Sequence, residues 1–247
     1  MIQSEIILSD LKQLTERQLE CLRQTALFQS VSDSEAVEVA RAANTVLKKA
    51  DESFFQQGRK ANRFYILLGG RIKVVHSTPE GHQVVARYVS PGELFGCVPL
   101  FGGDTYPGTA MAVTESKAFS WDARTIRKFM LRMPTLALSA LDLLGSELTE
   151  LRNRFKELAT ERVERRIAHA VLRLLQQAGE ETASGVKIDF PLTRQDLAEL
   201  TGTTLHTVSR VLSSWEEQGF VTAGRKKLFI KQRQKIVSIA EDLNLQE

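Results

Sequence analysis

Cysteine is scarce in this chain: 247 residues carry two, Cys21 and Cys97. Two thiols cannot build a disulfide framework, which points to a reducing cytoplasm. Nor can they by themselves hold an iron–sulfur cluster, which usually takes four cysteines. Long apolar runs are missing as well. No stretch approaches the ~18 apolar residues of a membrane-spanning helix, so no membrane partner is expected. The opening MIQSEIILSD has an apolar part of only Ile6 to Leu8 with no basic region before it, and no signal peptide is expected. His76 and His82 stand without the further histidines or glutamate of a metal site. That argues against a metal-dependent enzyme. The net charge of +3 is too small to argue for nucleic acid by itself.

What is present is the composition of an ordinary soluble globular protein, 43% hydrophobic and 26% charged. The length suits one large domain or two modest ones. Charge distribution says more than charge sum. Between Arg225 and Lys235 there are six basic residues and no acidic one. Alone, such a run reads as a solvated face.

The stretch before it changes its meaning. Thr193 to Gln218 splits into two short helical patterns around Gly202. Thr193 is placed to cap the first helix, with Asp196 three residues on as its reciprocal partner. Leu197, Ala198 and Leu200 supply the apolar side. Gly202 suits a backbone turn that a helix cannot make, and Thr203 or Thr204 caps the second helix. There Val208, Val211, Leu212 and Trp215 recur at helical spacing, leaving His206, Thr207, Ser209 and Arg210 outward. A short glycine turn at this spacing is the signature of a helix-turn-helix. Arg210 suits a bidentate contact to guanine, Ser209 a bond to either base partner or an approach to a thymine methyl, and His206 donation to a purine N7 or acceptance, depending on its tautomer. Thr193, Gln195 and Thr207 are candidate phosphate anchors. Val221–Thr222, a turn at Ala223–Gly224 and Leu228–Ile230 read as a hairpin, a wing with Arg225, Lys226 and Lys227 near its tip. Those cations are expected to add affinity that falls steeply with salt.

Upstream, residues 14–27 and 33–48 read as helices, the first started by Thr15 and the second by Ser32 or Ser34. From about Glu52, β-rich runs (Phe64–Leu68, Ile72–Val75, Val84–Tyr88) alternate with turns. Gly58, Gly70, Gly81 and Gly92 fall at intervals of 12, 11 and 11, which suggests an all-β barrel or sandwich. Ala137, Leu141, Leu144, Leu148, Leu151, Phe155 and Leu158 then follow a heptad spacing. A stripe this narrow predicts one partner helix and hence a homodimer; the alternative is a helix packed on its own barrel. Arg162–Gln177 reads as a further helix, Gly179–Gly185 as a polar link, and Val186–Phe190 as a strand.

In this order the pieces resemble the CRP/FNR family of bacterial transcription regulators. The matching runs are FYILLGGRIKVV (Phe64–Val75), PEG (Pro79–Gly81), PGELFG (Pro91–Gly96), the heptad helix, RIAHAVLRLL (Arg166–Leu175) and TVSR (Thr207–Arg210). The resemblance covers about Leu27 to Lys235. It implies an α+β fold with a cyclic-nucleotide-binding-like β-roll (jelly roll) over 1–132, a dimerisation helix over 133–160 and a winged helix-turn-helix over 161–247. It implies effector-dependent binding of a homodimer to double-stranded DNA with a two-fold operator, and contact with RNA polymerase. Where many members carry a glutamate, this chain has His206.

The resemblance also bears on the signal. Members that bind cyclic AMP resemble Gly92-Glu93-Leu94, whose acidic residue holds ribose hydroxyls, and they need an Arg-Ser pair downstream for the phosphate. The corresponding stretch here is Tyr106–Ala110, and no arginine lies between Gly92 and Ala110. Leu151-Arg152 replaces a Thr-Ser pair on the helix, although Arg152 could return a charge. Gly92, Glu93, Leu94, Thr109, Ala110 and Arg152 are therefore the candidate effector pocket, and cyclic AMP is not the expected ligand. Pro107–Ala112 is nearer in style to the oxygen- and nitric-oxide-responsive, FNR-like branch. Its iron–sulfur members have an N-terminal cysteine cluster, which Cys21 alone cannot supply. A haem sensor would draw an axial ligand from His76, His82 or Cys97. Two alternatives to DNA reading have a different character: a small-molecule module whose C-terminal part contacts protein, and a catalytic jelly roll.

Overall fold

The computed structural model describes residues 16–242. Two compact units divide the chain: one comprises the residues up to Gly70 together with Pro91–Glu147, the other Arg71–Ser90 together with Leu148 onward.

The first unit opens with α1 (Glu16–Arg23), a 3-10 turn (Ala26–Phe28) and α2 (Asp33–Arg41). Ser32 caps α2 in a reciprocal box with Glu35, whereas Thr15 lies outside the described residues. The expected helix over 33–48 is corrected here: it stops at Arg41, and Asn44–Lys48 is a strand, β1. Thr45 and Val46 are β-branched, and pairing with a partner more than seventy residues away overrides the local helical pattern. The helix expected over 14–27 is likewise shorter, because the chain leaves α1 at Arg23 and re-forms as the 3-10 turn.

Strands β2 (Ser53–Phe55) and β3 (Arg63–Gly69) follow. Next come β4 (Ile72–Ser77) and β5 (Gln83–Val89), and then β6 (Leu94–Phe95), β7 (Thr109–Ala112) and β8 (Ser116–Asp122). Within the first unit β1, β8, β3 and β6 form an antiparallel sheet in that order, and β2 pairs with β7. Gly58, Gly70, Gly81 and Gly92 all take positive φ, between 75° and 89°. The even glycine spacing thus marks turns that L-residues rarely adopt. One face of the sheet buries Phe64, Ile66, Phe119 and Trp121 against Leu22, Leu27, Val39 and Ile126. Trp121 donates its indole N–H to the Val39 carbonyl at 2.8 Å. Phe55, Tyr65, Phe95 and Tyr106 stack into an aromatic cluster, with Phe55 and Tyr106 centred 3.9 Å apart.

Helices α3 (Ala123–Arg132) and α4 (Pro134–Thr160) complete the first unit, and α4 runs on into the second. Its stripe is uncovered: Leu141, Leu144, Leu148, Leu151, Phe155 and Leu158 are all exposed, Phe155 by 73%.

The second unit contains the β4–β5 hairpin, then α5 (Val163–Ala178), β9 (Gly179–Thr182) and β10 (Gly185–Ile188). It continues with α6 (Arg194–Thr201), α7 (Leu205–Glu217), β11 (Val221–Gly224), β12 (Lys227–Ile230) and α8 (Arg233–Ala240). The sheet order is β11, β12, β10, β9. The polar link expected over 179–185 is therefore in part a strand. Its side chains are exposed, so no alternation of apolar residues announces it, and its backbone is satisfied by β10. The wing's turn is also shifted. Ala223 and Gly224 belong to β11, and the chain reverses at Arg225–Lys226, with Lys226 at φ +60°.

Candidate nucleic-acid interface

Helix α6 is set by its ends. Thr193 Oγ1 accepts from the Asp196 N–H at 2.9 Å while Asp196 Oδ2 accepts from the Thr193 N–H at 3.0 Å, the reciprocal box expected from the sequence. Asp196 is itself buried, and its other oxygen takes Lys73 Nζ of β4 at 2.7 Å. Burial by itself would raise this carboxyl's pKa. Hydrogen bonds from Lys73 and Thr193, together with the Lys73 charge, outweigh it and hold the group below its usual value. At the other end Gly202 closes the helix at φ +62°. A side chain there would also meet the end of the Leu158 side chain of α4 at 3.1 Å, a tight contact that the leucine must give way to, so the positive φ is what favours glycine at this turn. The guanidinium of Arg166 donates to the carbonyls of Thr201 (3.1 Å) and Gly202 (3.5 Å), groups the helix leaves unpaired.

Helix α7 starts at Thr204, whose hydroxyl accepts from the Thr207 N–H at 3.2 Å; of the two capping residues open from the sequence, it is Thr204. Val208, Val211, Leu212 and Trp215 are buried, and Trp215 donates to Glu164 of α5 at 2.8 Å. Opposite that core, His206 and Arg210 are exposed and Ser209 half-exposed. Among the described residues no side-chain hydrogen bond or ion pair engages these three.

The phosphate candidates divide in two. Arg225, Lys226 and Lys227 stand exposed together at the wing tip. Thr193, Gln195 and Thr207 already have work within the protein: Thr193 in its cap, Gln195 on Glu199 at 2.8 Å, and Thr207 on the Thr204 hydroxyl at 2.9 Å. Gln195 also lines a cleft of about 520 Å³ with Ala198, Glu199 and the hairpin tip Gly81–Val84.

The candidate effector residues lie in both units. Gly92 (φ +86°) donates its N–H to Leu67, and the Glu93 carbonyl accepts from Leu67, while Leu94 is buried against Ile66. Thr109 Oγ1 is occupied by the Gln57 N–H at 3.0 Å, and Ala110 is fully buried beside Phe55. Arg152 is exposed on the part of α4 that belongs to the second unit. In the stretch where a cyclic-phosphate site needs a cation, the chain places Tyr106. Burial, with Tyr65 beside it, pushes that phenol's pKa up to about 12, so it is neutral. Within the first unit none of the candidate effector residues supplies a cation for a phosphate. His76 and His82 are exposed on the hairpin and Cys97 is half-buried; among the described residues no three His, Cys, Asp or Glu form a metal cluster.

The residues missing from the sequence reading are those that join distant segments: Lys73, Arg166, and Leu158 as a neighbour of Gly202. No local pattern signals a pairing across 123 positions, such as Lys73 with Asp196. Leu205, the exposed first residue of α7, was also missed, though its i, i+4 relation to Ser209 could have found it.

Two family patterns match the chain in this same order. The cyclic nucleotide-binding domain matches residues 46–133 and the Crp-like helix-turn-helix domain residues 165–239. The chain belongs to the CRP/FNR family. It is a transcriptional regulator of that type, with a DNA-binding helix-turn-helix and a cyclic-nucleotide-binding-like roll. It is 24% identical over 217 residues to the CRP-like cAMP-activated global transcriptional regulator of Mycobacterium tuberculosis, covering 88% of this chain and 97% of the relative. It is 27% identical over 186 residues to the cyclic AMP receptor protein of Thermus thermophilus, covering 75% and 83%. In fold it matches FixK2 from Bradyrhizobium japonicum with a TM-score of 0.71 at 21% identity, over 80% of this chain and 96% of that one. Among the described residues no helix is long and apolar enough to cross a membrane.

Proposed function

We propose that this CRP/FNR regulator works as a cytoplasmic homodimer that reads a two-fold DNA site and acts with RNA polymerase, under a signal other than cyclic AMP. The observation that carries dimerisation is the exposed apolar stripe on α4. Six large side chains at heptad spacing face water, more than an isolated surface leucine or two would explain. A second copy of α4 is the covering that the heptad spacing fits. Domain limits at 132/133 and 160/161 place the roll, the dimer helix and the winged helix in sequence.

His206, Ser209 and Arg210 are the base readers in this scheme; Arg225, Lys226 and Lys227 neutralise phosphate, and Thr193, Gln195 and Thr207 align the backbone. Donors with no internal partner reach base edges without first breaking a bond. The end of α4 is placed to pass on a change in dimer geometry. Glu157 forms a two-pronged ion pair with Arg173 of α5 (2.7 and 3.0 Å), and Leu158 abuts Gly202 in the turn between the two reading helices.

The signal differs from that of the cyclic-AMP-activated relatives because the roll offers Pro107-Gly108-Thr109 in place of a phosphate-binding arginine and serine. Gly92, Glu93, Leu94, Thr109 and Ala110 of the first unit remain the proposed effector residues, for a ligand with less demand for a cation, and Arg152 of the second unit stands as a separate candidate.

The test is Leu151→Glu in the full chain, followed by analytical ultracentrifugation and DNA selection from a random pool. The wild type is expected to sediment as a dimer and to select a two-fold sequence. The variant is expected to be a folded monomer that selects none. A monomeric variant with undiminished operator affinity overturns the reading.

A further inference from the structure

The outward face of α7 carries one residue that has no polar chemistry. Leu205, its first residue, is 47% exposed, although every other leucine or valine on that helix is buried. It is not a staple residue of the cap: that role pairs the positions before the cap and four into the helix, here Thr203 and Val208. On an α-helix residues four apart are neighbours, so Leu205 stacks over Ser209 as His206 stacks over Arg210. The four form a two-by-two patch. Because helical side chains lean toward the N-terminus, Leu205 and His206 project furthest past the helix end.

We infer that Leu205 is a specificity residue that reads the C5-methyl group of a thymine in the major groove, next to the base pair taken by Arg210. This rests on the proposal above that α7 enters DNA. The N-terminal residues of such a helix are the ones that meet base edges. A leucine can neither donate nor accept a hydrogen bond, and the thymine methyl is the apolar feature the major groove displays. A water-facing leucine beside three hydrogen-bonding readers therefore has one complementary target in that groove. Phosphate is excluded as the partner of its side chain, which carries no donor; only its backbone N–H could meet one. The occupant is DNA rather than an apolar protein surface, because the residues that share its face, His206, Ser209 and Arg210, are polar, and the same unit carries an exposed basic run at Arg225, Lys226 and Lys227.

The experiment takes the sequence selected by the full-length wild type and replaces each thymine in turn, in both half-sites, by deoxyuridine. That change removes the methyl and leaves base pairing intact. Affinity is read by fluorescence anisotropy for the wild type and for Leu205→Ala. At one thymine per half-site the wild type is expected to lose about four-fold per methyl, the ratio given by burying one methyl-sized group, ~0.8 kcal/mol. With both half-sites changed the loss is about fifteen-fold. Leu205→Ala is expected to bind the two DNAs alike. Because the substitution is on the helix surface, its thermal unfolding should match the wild type. A wild type that binds its selected site but is indifferent to every uracil overturns the inference alone. So does a methyl dependence that persists in Leu205→Ala. Failure to select any sequence overturns the DNA-reading proposal itself, and this inference with it.

Discussion

The two helices of the reading motif are built on opposite plans. Helix α6 is bound on every side: Thr193 and Lys73 hold Asp196, Arg166 holds the last carbonyls, Gln195 is tied to Glu199, and Arg194 approaches Glu216 at 3.8 Å. Helix α7 buries one apolar face and leaves the proposed readers His206, Ser209 and Arg210 on the other without side-chain partners among the described residues. The difference separates two physical tasks. A frame gains from charge-assisted bonds in places where water is excluded. A reader loses by them, since any internal bond must be given up before a base is met.

The sharpest way to break the comparison is to remove the residue that most ties the frame. Asp196→Ala deletes the cap acceptor and strands Lys73, which is three-quarters covered, without its counter-ion. Removing one member of a largely buried pair typically costs about 3–5 kcal/mol, with about 1 more for a lost cap. Urea unfolding should report a loss of at least about 3 kcal/mol; a loss below ~1 would show that α6 is held by packing alone. Asp196→Asn keeps an acceptor but has no charge to titrate. The folded pKa of Asp196 lies below its unfolded value of ~3.9, so its contribution is fully present above that pH. It is lost as the pH falls toward the folded value. The stability gap between wild type and Asp196→Asn should therefore be constant from pH 7 to about 5 and shrink below ~4. A gap that widens in acid would reverse the sign and refute the assignment.

The same division decides what could be read from sequence. The caps at Thr193 and Thr204, the left-handed Gly202, the four evenly spaced turn glycines and the α4 stripe are local. Each is a residue type at a spacing that its neighbours alone make sensible. Ser32 with Glu35 is of the same kind. What escapes is pairing at a distance. Asn44–Lys48 reads as the tail of a helix until β8 is known, and exposed Gly179–Thr182 shows no alternation to mark it as a strand. Lys73 reads as one more solvated lysine in a hairpin until Asp196 is brought against it. The reading face was thus more legible than the frame that supports it. Leu205 was passed over for a different reason, since exposed leucines are ordinary and only its polar neighbours make this one informative.

Arg210→Ala is the matching change on the free side and should separate function from stability. Its side chain has no partner among the described residues, so unfolding should shift by no more than about 0.5 kcal/mol. Operator affinity should fall by about 1–3 kcal/mol per half-site, with relaxed preference at one base pair. Stability loss comparable to that of Asp196→Ala would mean that α7 is framed as tightly as α6, and the contrast would fail.

The smallest effect is expected where the two plans meet, at the wing. Lys226 sits at φ +60°, a conformation that costs an L-residue roughly 1–2 kcal/mol. Glycine would relieve the strain, and the side chain contributes no internal bond that would be lost. Its backbone carbonyl, which accepts from the Leu192 N–H at 3.2 Å, survives the substitution. Lys226→Gly should therefore leave stability unchanged or raise it by up to about 1 kcal/mol, since glycine also gains freedom in the unfolded chain. If the lysine neutralises a phosphate, the same variant should bind DNA more weakly, alike for all sequences. The slope of log K against log salt should shrink by about 0.9 for each wing engaged. A more stable protein that binds less well would identify Lys226 as a strained reader-side residue. Unchanged salt dependence would assign the wing's basic tip to solvent, and leave phosphate contact to the ends of α6 and α7.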